Sequence, residues 1–185
     1  MYPFLRMGIE ILLARRAEPL DILAAHVSHH TCLPWDIDPW MELNNGRTLT
    51  LYDLGRIPFA MRTGLVGAIR ANRWGITAAG NSVRYRRRVR MFDRLTMVTR
   101  TIGWDRRFIY LDQSLWRDGD CTSQMLIRSA VTSAEGIVAP ERVLAALGQP
   151  GRESPPLPAW VAAWIEGDAQ RPWPPESAAL LAGRS

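Results

Sequence analysis

Residues 36–56, DIDPWMELNNGRTLTLYDLGR, join an acidic turn directly to the start of a helix, and this junction restricts how the chain can fold. Asn44 and Asn45 are of the type favoured at a helix N-cap, where a side-chain oxygen accepts a hydrogen bond from the first turn. The run that follows repeats apolar side chains at helical spacing: Leu51, Leu54, Met61 and Leu65. The pattern therefore predicts a helix with one apolar face that begins near Asn45.

The same junction predicts a reaction site. The exposed N–H groups of a first helical turn, together with the helix dipole, can hold an oxygen that becomes negative during a reaction. We expect the N–H of Asn45 or Gly46 to do this, with Asp38 just upstream as the nucleophile or general base. Asp36 is expected to cap the turn, and Glu42 either to orient a water molecule or simply to be solvated.

The block from Asp36 to Arg56 resembles the signature of the hot-dog-fold acyl-CoA thioesterases, in the branch similar to hydroxybenzoyl-CoA thioesterase. That signature combines an Asp-x-Asp turn, a short loop, an Asn-Asn pair and a long helix that carries an acidic residue and an arginine. The matching residues are Asp36 and Asp38, Asn44 and Asn45, and Asp53 and Arg56. The resemblance continues, at lower similarity, through about residue 135.

The resemblance implies hydrolysis of an acyl-CoA thioester to a free acid and CoA, with Asp38 as nucleophile or general base and the helix N-terminus as the oxyanion hole. The departing thiol has a pKa of roughly 8.5, so it leaves with little need of a general acid. Many family members carry a Gly-His step in the turn, where this chain has Met41 and Glu42. Because the histidine is missing, a non-catalytic hot-dog module that binds an acyl-CoA or a partner is the alternative.

The remaining elements fit the same fold class. A segment of β-forming residues, 26–33, precedes the helix, and Pro58 is expected to kink or end that helix. Extended runs separated by turn-forming residues follow: Ile76–Val89, Leu95–Ile102, Arg107–Trp116 and Cys121–Thr132. This order predicts an α+β hot-dog domain over residues 23–148, in which an antiparallel sheet wraps around a central long helix.

The two ends of the chain lie outside this domain. Residues 1–22 are predicted to form an N-terminal amphipathic helix, and residues 149–185 a Pro-rich C-terminal tail with a short helix. The apolar residues of the first helix recur on one face: Leu5, Ile9, Leu12 and Leu13. We expect this face to pack against the domain or a partner subunit. Weak contact with an anionic membrane surface, using Arg15 and Arg16, is the alternative.

The run RYRRRVR, residues 84–90, holds five arginines in seven residues. On a continuous strand, alternation would place four of them on one face: Arg84, Arg86, Arg88 and Arg90. Guanidinium groups bind phosphate in a forked geometry, and the resemblance implies that this stripe binds the phosphates of CoA. A solvated strand edge protected from aggregation by charge is an equal alternative. Nucleic-acid binding is not predicted, because no zinc-finger or RRM-type motif accompanies the stripe.

Composition limits the number of domains, the charge of a partner and the presence of disulfide or metal sites. A chain of 185 residues with 47% hydrophobic content suits one domain with a sizeable core, and a net charge of +5 favours an anionic partner. Cys32 and Cys121 are far apart, and the three histidines, His26, His29 and His30, lie in one short run. We therefore predict no disulfide scaffold and no metal site. We expect a cytoplasmic protein that needs no cofactor apart from its CoA thioester substrate. The resemblance implies a homodimer or a higher homo-oligomer, because the family forms its sites between subunits.

Overall fold

The computed structural model describes residues 2–178, which hold five α-helices, six β-strands and two short 3-10 helices, Pro34–Asp36 and Glu176–Ala178. The chain divides into two compact units, residues 1–155 and a shorter one that begins at Pro156. The helices are α1 (Phe4–Arg16), α2 (Asn45–Arg62), α3 (Leu65–Ala71), α4 (Pro140–Ala146) and, in the shorter unit, α5 (Ala159–Ala169). The strands are β1 (Ala25–Thr31), β2 (Gly75–Tyr85), β3 (Arg94–Trp104), β4 (Ile109–Arg117), β5 (Asp120–Ser133) and β6 (Gly136–Val138).

The strands described form one antiparallel sheet in the order β1-β3-β4-β5-β2, and β6 pairs with the end of β5. Helix α2 packs on the sheet against β1 and β3. A Cβ atom at Gly55 would lie 2.5 Å from the Sδ atom of Met97, so the glycine permits this close approach of helix and sheet. The sheet and the long helix that it surrounds form a hot-dog fold of the α+β class, which confirms the sequence prediction.

The core lies between α2 and the inner face of the sheet. Along β1 and the first part of β3, buried positions recur with the alternation expected of strands that turn one face inward. The large side chains buried there come from the helix and from three strands: Leu51, Tyr52, Leu54, Phe59, Leu95, Met97, Leu115 and Met125. Removal of this apolar surface from water, at about 25 cal/mol per Å², holds the helix inside the sheet.

Helix α2 begins at the predicted residue but does not end at the predicted one. The Asn44 side chain accepts a hydrogen bond of 3.1 Å from the N–H of Arg47, which makes Asn44 the N-cap. Pro58 is buried inside the helix, which continues to Arg62. The interruption comes instead at Gly64, whose φ of 80° is easily reached only by glycine, and α3 starts directly after it.

Strand β2 is shorter than predicted. It ends at Tyr85, and the N–H groups of Arg86 and Arg87 then both donate to the carbonyl oxygen of Thr122, at 2.8 and 3.1 Å. Two successive donors to one acceptor break the alternation of a strand. The prediction of a strand through Val89 with four arginines on one face is therefore wrong, because the backbone turns within the arginine run.

Helix α1 turns its more polar face towards the domain. Met7 and Ala14 are buried, and the guanidinium of Arg6 reaches the carboxylate of Asp36 at 2.7 Å. The apolar residues that were expected to pack are exposed within the chain: Leu5, Ile9, Leu12 and Leu13. The prediction that this face packs against the domain, one of the two predicted contacts, is therefore wrong, and packing against a partner subunit stays a prediction. No helix within residues 2–178 is long and apolar enough to cross a membrane.

Candidate active site

A cavity of about 540 Å³ opens at the N-terminal end of α2. Its walls come from the loop between residues 38 and 45, from residues 85–89 after β2, and from Thr122 and Ser123 of β5. Three parts of the chain that are distant in sequence therefore meet at one helix end. The cavity brings together carboxylates, a helix N-terminus and arginines, which is the combination that a reaction of an anionic substrate requires.

The acidic turn is a small hairpin that holds Asp38 in place. The Oδ1 atom of Asp38 accepts hydrogen bonds from the N–H of Trp40, at 2.9 Å, and from the N–H of Glu42, at 3.4 Å. Its Oδ2 atom has no hydrogen-bond partner among residues 2–178. Met41 closes the turn with a φ of 60°, a left-handed conformation that is strained for a residue with a side chain. One carboxylate oxygen is thus fixed by the backbone, and the other is available to a ligand.

Glu42 lies in the same cavity but carries an ion pair. Its Oε2 atom is 3.0 Å from the Nε atom of Arg88, which is mostly exposed. Because this pair faces solvent, it contributes little to the free energy of unfolding, roughly 0–1 kcal/mol. The contact joins the acidic turn to the arginine segment. The N–H of Leu43 also donates a hydrogen bond of 2.8 Å to the carbonyl oxygen of Val89, which is a second contact between the same two segments.

The first turn of α2 presents one open N–H group to the cavity. The N–H of Gly46 donates to the side-chain oxygen of Asn45 at 2.7 Å, and Gly46 does not line the cavity. Within the described residues, the N–H of Asn45 has no hydrogen-bond acceptor, and Asn45 does line the cavity. Of the two predicted oxyanion donors, the Asn45 N–H is the one whose geometry leaves room for a ligand oxygen.

The arginine run contributes a different set of residues from the predicted stripe. Arg86 and Arg88 line the cavity, and so does Arg87, which the strand pattern assigned to the opposite face. Arg84 lies on β2 opposite Gln124 and does not line the cavity. Arg90 lines a separate shallow groove beside it. Three consecutive guanidinium groups, rather than four alternating ones, therefore give the cavity its positive charge.

Hydroxyl groups that the sequence did not single out complete the lining: Thr48, Tyr85, Thr122 and Ser123. Behind the lining, the fully buried Tyr52 of α2 and Ser123 of β5 form a hydrogen bond of 2.9 Å between their hydroxyl oxygens. Tyr85 donates from its hydroxyl to the carbonyl oxygen of Asn45 at 3.3 Å, and Thr48 lies nearby on α2. Tyr85 and Ser123 are far apart in sequence, and the pairing of β2 with β5 places them opposite each other.

Asp36 is fully buried, does not line the cavity, and fixes the acidic turn that forms part of the cavity wall. Its Oδ2 atom is 2.7 Å from Arg6 of α1, and its Oδ1 atom is 2.7 Å from Arg47 of α2. Burial acts to raise the pKa of Asp36, but the hydrogen bonds from Arg47 and Arg6 outweigh it and hold the pKa below its ordinary value. Asp36 therefore stays ionised and ties the acidic turn to both helices.

Asp53 and Arg56, the acid and base of the helical part of the signature, also lie outside the cavity lining. They form an ion pair along α2 through the Nη2 atom of Arg56. The Nη1 atom of Arg56 donates to the side-chain oxygen of Gln113 at 2.9 Å. Gln113 is fully buried, and its amide nitrogen donates to the carbonyl oxygen of Tyr52. The pair thus belongs to a polar network that joins the helix to β4.

The histidines lie on β1, with His26 and His30 buried on one face and His29 exposed on the other. The Nε2 atom of His30 is 2.8 Å from the hydroxyl of Ser28, and its Nδ1 atom is 3.6 Å from the carboxylate of Glu10 on α1. Across residues 2–178 there is no cluster of His, Cys, Asp and Glu side chains that could hold a metal ion. His30 thus packs against α1, whereas His26 contacts Arg62 of α2 at 3.1 Å.

The comparisons with known proteins agree with the fold. A family model, described as the thioesterase-like superfamily, matches residues 32–165, which include the acidic turn, α2 and strands β2 to β6. Protein THEM6 of Xenopus laevis is 29% identical over 163 residues, and the match covers 86% of this chain and 77% of that protein.

Solved structures show the same fold at low sequence identity. The chain is similar to YbaW, a probable thioesterase from Escherichia coli, with a TM-score of 0.62 and 16% identity, covering 69% of this chain and 99% of that one. It is also similar to SAV2348 from Staphylococcus aureus, solved in complex with CoA, with a TM-score of 0.60 and 11% identity. That alignment covers 78% of this chain and 96% of the other.

Proposed function

This chain belongs to the thioesterase-like superfamily, and from that membership we propose that it hydrolyses an acyl-CoA thioester to a free acid and CoA. The reaction takes place in the cavity at the N-terminal end of α2. The observation that carries the proposal is the meeting of Asp38, the open N–H of Asn45 and the arginines 86–88 in one cavity of about 540 Å³.

Each group in the cavity has a role in this reaction. The Oδ2 atom of Asp38 either attacks the thioester carbon directly or removes a proton from the attacking water. The carbonyl oxygen, which becomes negative as the tetrahedral intermediate forms, accepts the N–H of Asn45 at the positive end of the α2 dipole. When the intermediate collapses, the carbon–sulfur bond breaks and CoA leaves as a thiolate. After direct attack, the acyl group is left as an anhydride with Asp38, which water then hydrolyses to the free acid; after attack by water, the free acid forms at once and the proton held by Asp38 passes to the thiolate.

The arginines bind the nucleotide part of the substrate. CoA carries several phosphate charges, and guanidinium groups are suited to phosphate because they donate two parallel hydrogen bonds. Arg86 and Arg87 are exposed at the cavity wall. Arg87 can exchange its long contact with Asp120, 4.0 Å, for a phosphate, and Arg88 can do the same with its contact to Glu42. The similarity to a protein solved with CoA supports this assignment.

The proposal is tested by measuring thiol release from short, long and aromatic acyl-CoAs with purified protein. We expect Asp38→Asn to lower kcat/KM by at least about a hundredfold, which is the lower range for loss of a general base or nucleophile. Glu135→Gln removes an exposed carboxylate from the turn between β5 and β6, at the opposite end of β5 from Thr122 and Ser123, so it is the matched control and should leave the rate unchanged. Equal rates for wild type and Asp38→Asn would contradict the catalytic role of Asp38.

A non-catalytic module that binds acyl-CoA is the second candidate. It is favoured by the hydrogen bonds that occupy Asp38 Oδ1 and by the ion pair that occupies Glu42, since both contacts can serve the turn alone. Folded protein that binds CoA in calorimetry, loses that binding in Arg86→Gln/Arg87→Gln, and releases no thiol from any substrate would establish this second function.

We also propose that the protein acts as a homodimer. Strand β2 is an edge of the sheet, 11 residues long and exposed along almost its whole length, and it leads directly into the arginine segment. An edge strand of this length is unusual unless another chain pairs with it. Sedimentation velocity should give a dimer, and an activity per chain that falls on dilution would tie the cavity to that dimer. A monomer at all concentrations would contradict this proposal.

A further inference from the structure

The outward face of α1 is apolar from Leu5 to Leu13. At 3.6 residues per turn, Leu5, Ile9, Leu12 and Leu13 fall within about 100° of arc. Their exposed fractions range from 51% for Ile9 to 81% for Leu5. Phe4 begins the helix and is 74% exposed. Single exposed apolar residues are common, but a contiguous face of this kind on one short helix indicates an interaction surface.

The orientation of α1 is fixed by contacts on its opposite face. Arg6 is held by Asp36 at 2.7 Å and by the carbonyl oxygen of Thr31 at 2.9 Å, and Met7 and Ala14 are buried. The helix therefore cannot roll its leucines inward without breaking a buried ion pair, which typically costs about 3–5 kcal/mol. The exposed apolar face is a fixed property of this fold.

The charges around the face are positive. Arg15 and Arg16 occupy the last turn of α1, both are exposed, and Arg16 falls within the same arc as the leucines. The acidic residue of the helix, Glu10, points inward towards His30, with its side chain only 14% exposed. Glu18, the next acidic residue in the chain, lies beyond the end of the helix. The surface thus combines aliphatic side chains with two cations and has no outward carboxylate within α1.

We propose that α1 docks the protein on an anionic lipid surface. A helix with one apolar face and flanking arginines lies in the plane of the membrane interface, with the apolar side chains among the acyl chains and the cations at the headgroups. The net charge of +5 adds attraction over a longer range. This role is independent of thioester hydrolysis, because the docking face and the cavity share no residue.

The test is co-sedimentation of the whole chain with phosphatidylcholine vesicles, with and without phosphatidylserine. Wild type should bind only the anionic vesicles, and less at high salt. Arg15→Gln/Arg16→Gln should weaken the binding by about 25-fold, since each arginine near an anionic surface contributes a factor of about five. The matched control is Arg106→Gln/Arg107→Gln, which removes two exposed arginines from the β3–β4 turn and should bind as wild type does.

The apolar contribution is tested with Leu12→Glu, which should abolish binding, and Leu12→Met, which should preserve it. Val27→Glu, at an exposed apolar residue of β1, is the control for adding a charge. Absence of wild-type binding to anionic vesicles overturns the proposal, as does equal weakening in the control variants. A change of oligomeric state in Leu12→Glu without lipid also overturns it, because the face would then be covered by a second copy of the chain.

Discussion

Acidification from about pH 7 to about pH 5.5 should destabilise this fold through two buried histidines. Burial and the positive charge of Arg62 lower the pKa of His26 to about 4. Burial, followed by the charge of Arg6, lowers the pKa of His30 to about 4 as well. Both residues are only 7% exposed, so solvent screens these effects little. The ordinary pKa of histidine, about 6.5, is restored when the chain unfolds.

The direction in which stability changes with pH follows from the number of protons that the folded and unfolded states bind. A histidine with a folded pKa below its unfolded value binds fewer protons in the folded state, so the stability falls as the pH drops from about 6.5 towards 4. Protonation of the unfolded chain lowers the free energy of unfolding by about 1.4 kcal/mol per histidine at pH 5.5, against about 0.2 kcal/mol at pH 7. The expected loss is therefore about 1.2 kcal/mol for each histidine and about 2.5 kcal/mol for both.

Urea unfolding at the two pH values measures this loss. The interval from about pH 5.5 to about pH 7 lies above the pH at which protonation of Asp21, Asp36 and Asp93, whose pKa values are lowered in the fold, begins to reduce stability. The pKa of Glu10 is raised by burial, so its protonation acts in the opposite direction, and a Glu10→Gln background removes that contribution.

Two variants decide whether the buried histidines cause the effect. His26→Gln/His30→Gln should make the free energy of unfolding nearly independent of pH over this range, whereas His29→Gln, at an exposed position of the same strand, should keep the full dependence. A wild-type loss below about 0.5 kcal/mol, or the same loss in the double variant, would refute the reasoning.

Three substitutions test the architecture around the cavity by urea unfolding. Asp36→Asn should lower the free energy of unfolding by about 3 kcal/mol, because it leaves the half-buried guanidinium groups of Arg6 and Arg47 without their carboxylate. A similar loss in the exposed control Asp118→Asn would contradict this account. Gly55→Ala should cost about 1–3 kcal/mol, because its Cβ atom would lie too close to Met97; a gain in stability would show that helix and sheet can separate. Met41→Gly should stabilise the fold by about 1 kcal/mol, because glycine adopts a φ of 60° without strain, and a loss would mean that the methionine side chain holds the turn.

Local sequence rules predicted the parts of the site that lie within one segment. Asn44 caps α2, Asp38 lies in the turn before it, and Asn45 begins the helix, because capping and turn formation depend on residues close in sequence. The same rules failed for the arginine run. There the two hydrogen bonds to Thr122, more than thirty residues away, end β2 at Tyr85 and bring Arg87 into the cavity wall.

The fold class, the start of the long helix and the family could be predicted from the sequence, because hydrophobic periodicity, helix caps and a motif are properties of neighbouring residues. The outward face of α1 and the set of hydroxyl groups in the cavity wall could not be predicted in this way. The face of α1 follows from the pairing of Arg6 with Asp36, and the position of Ser123 beside Tyr52 follows from the packing of β5 against α2. Contacts between distant segments depend on how the whole chain packs, and a local pattern does not contain that information.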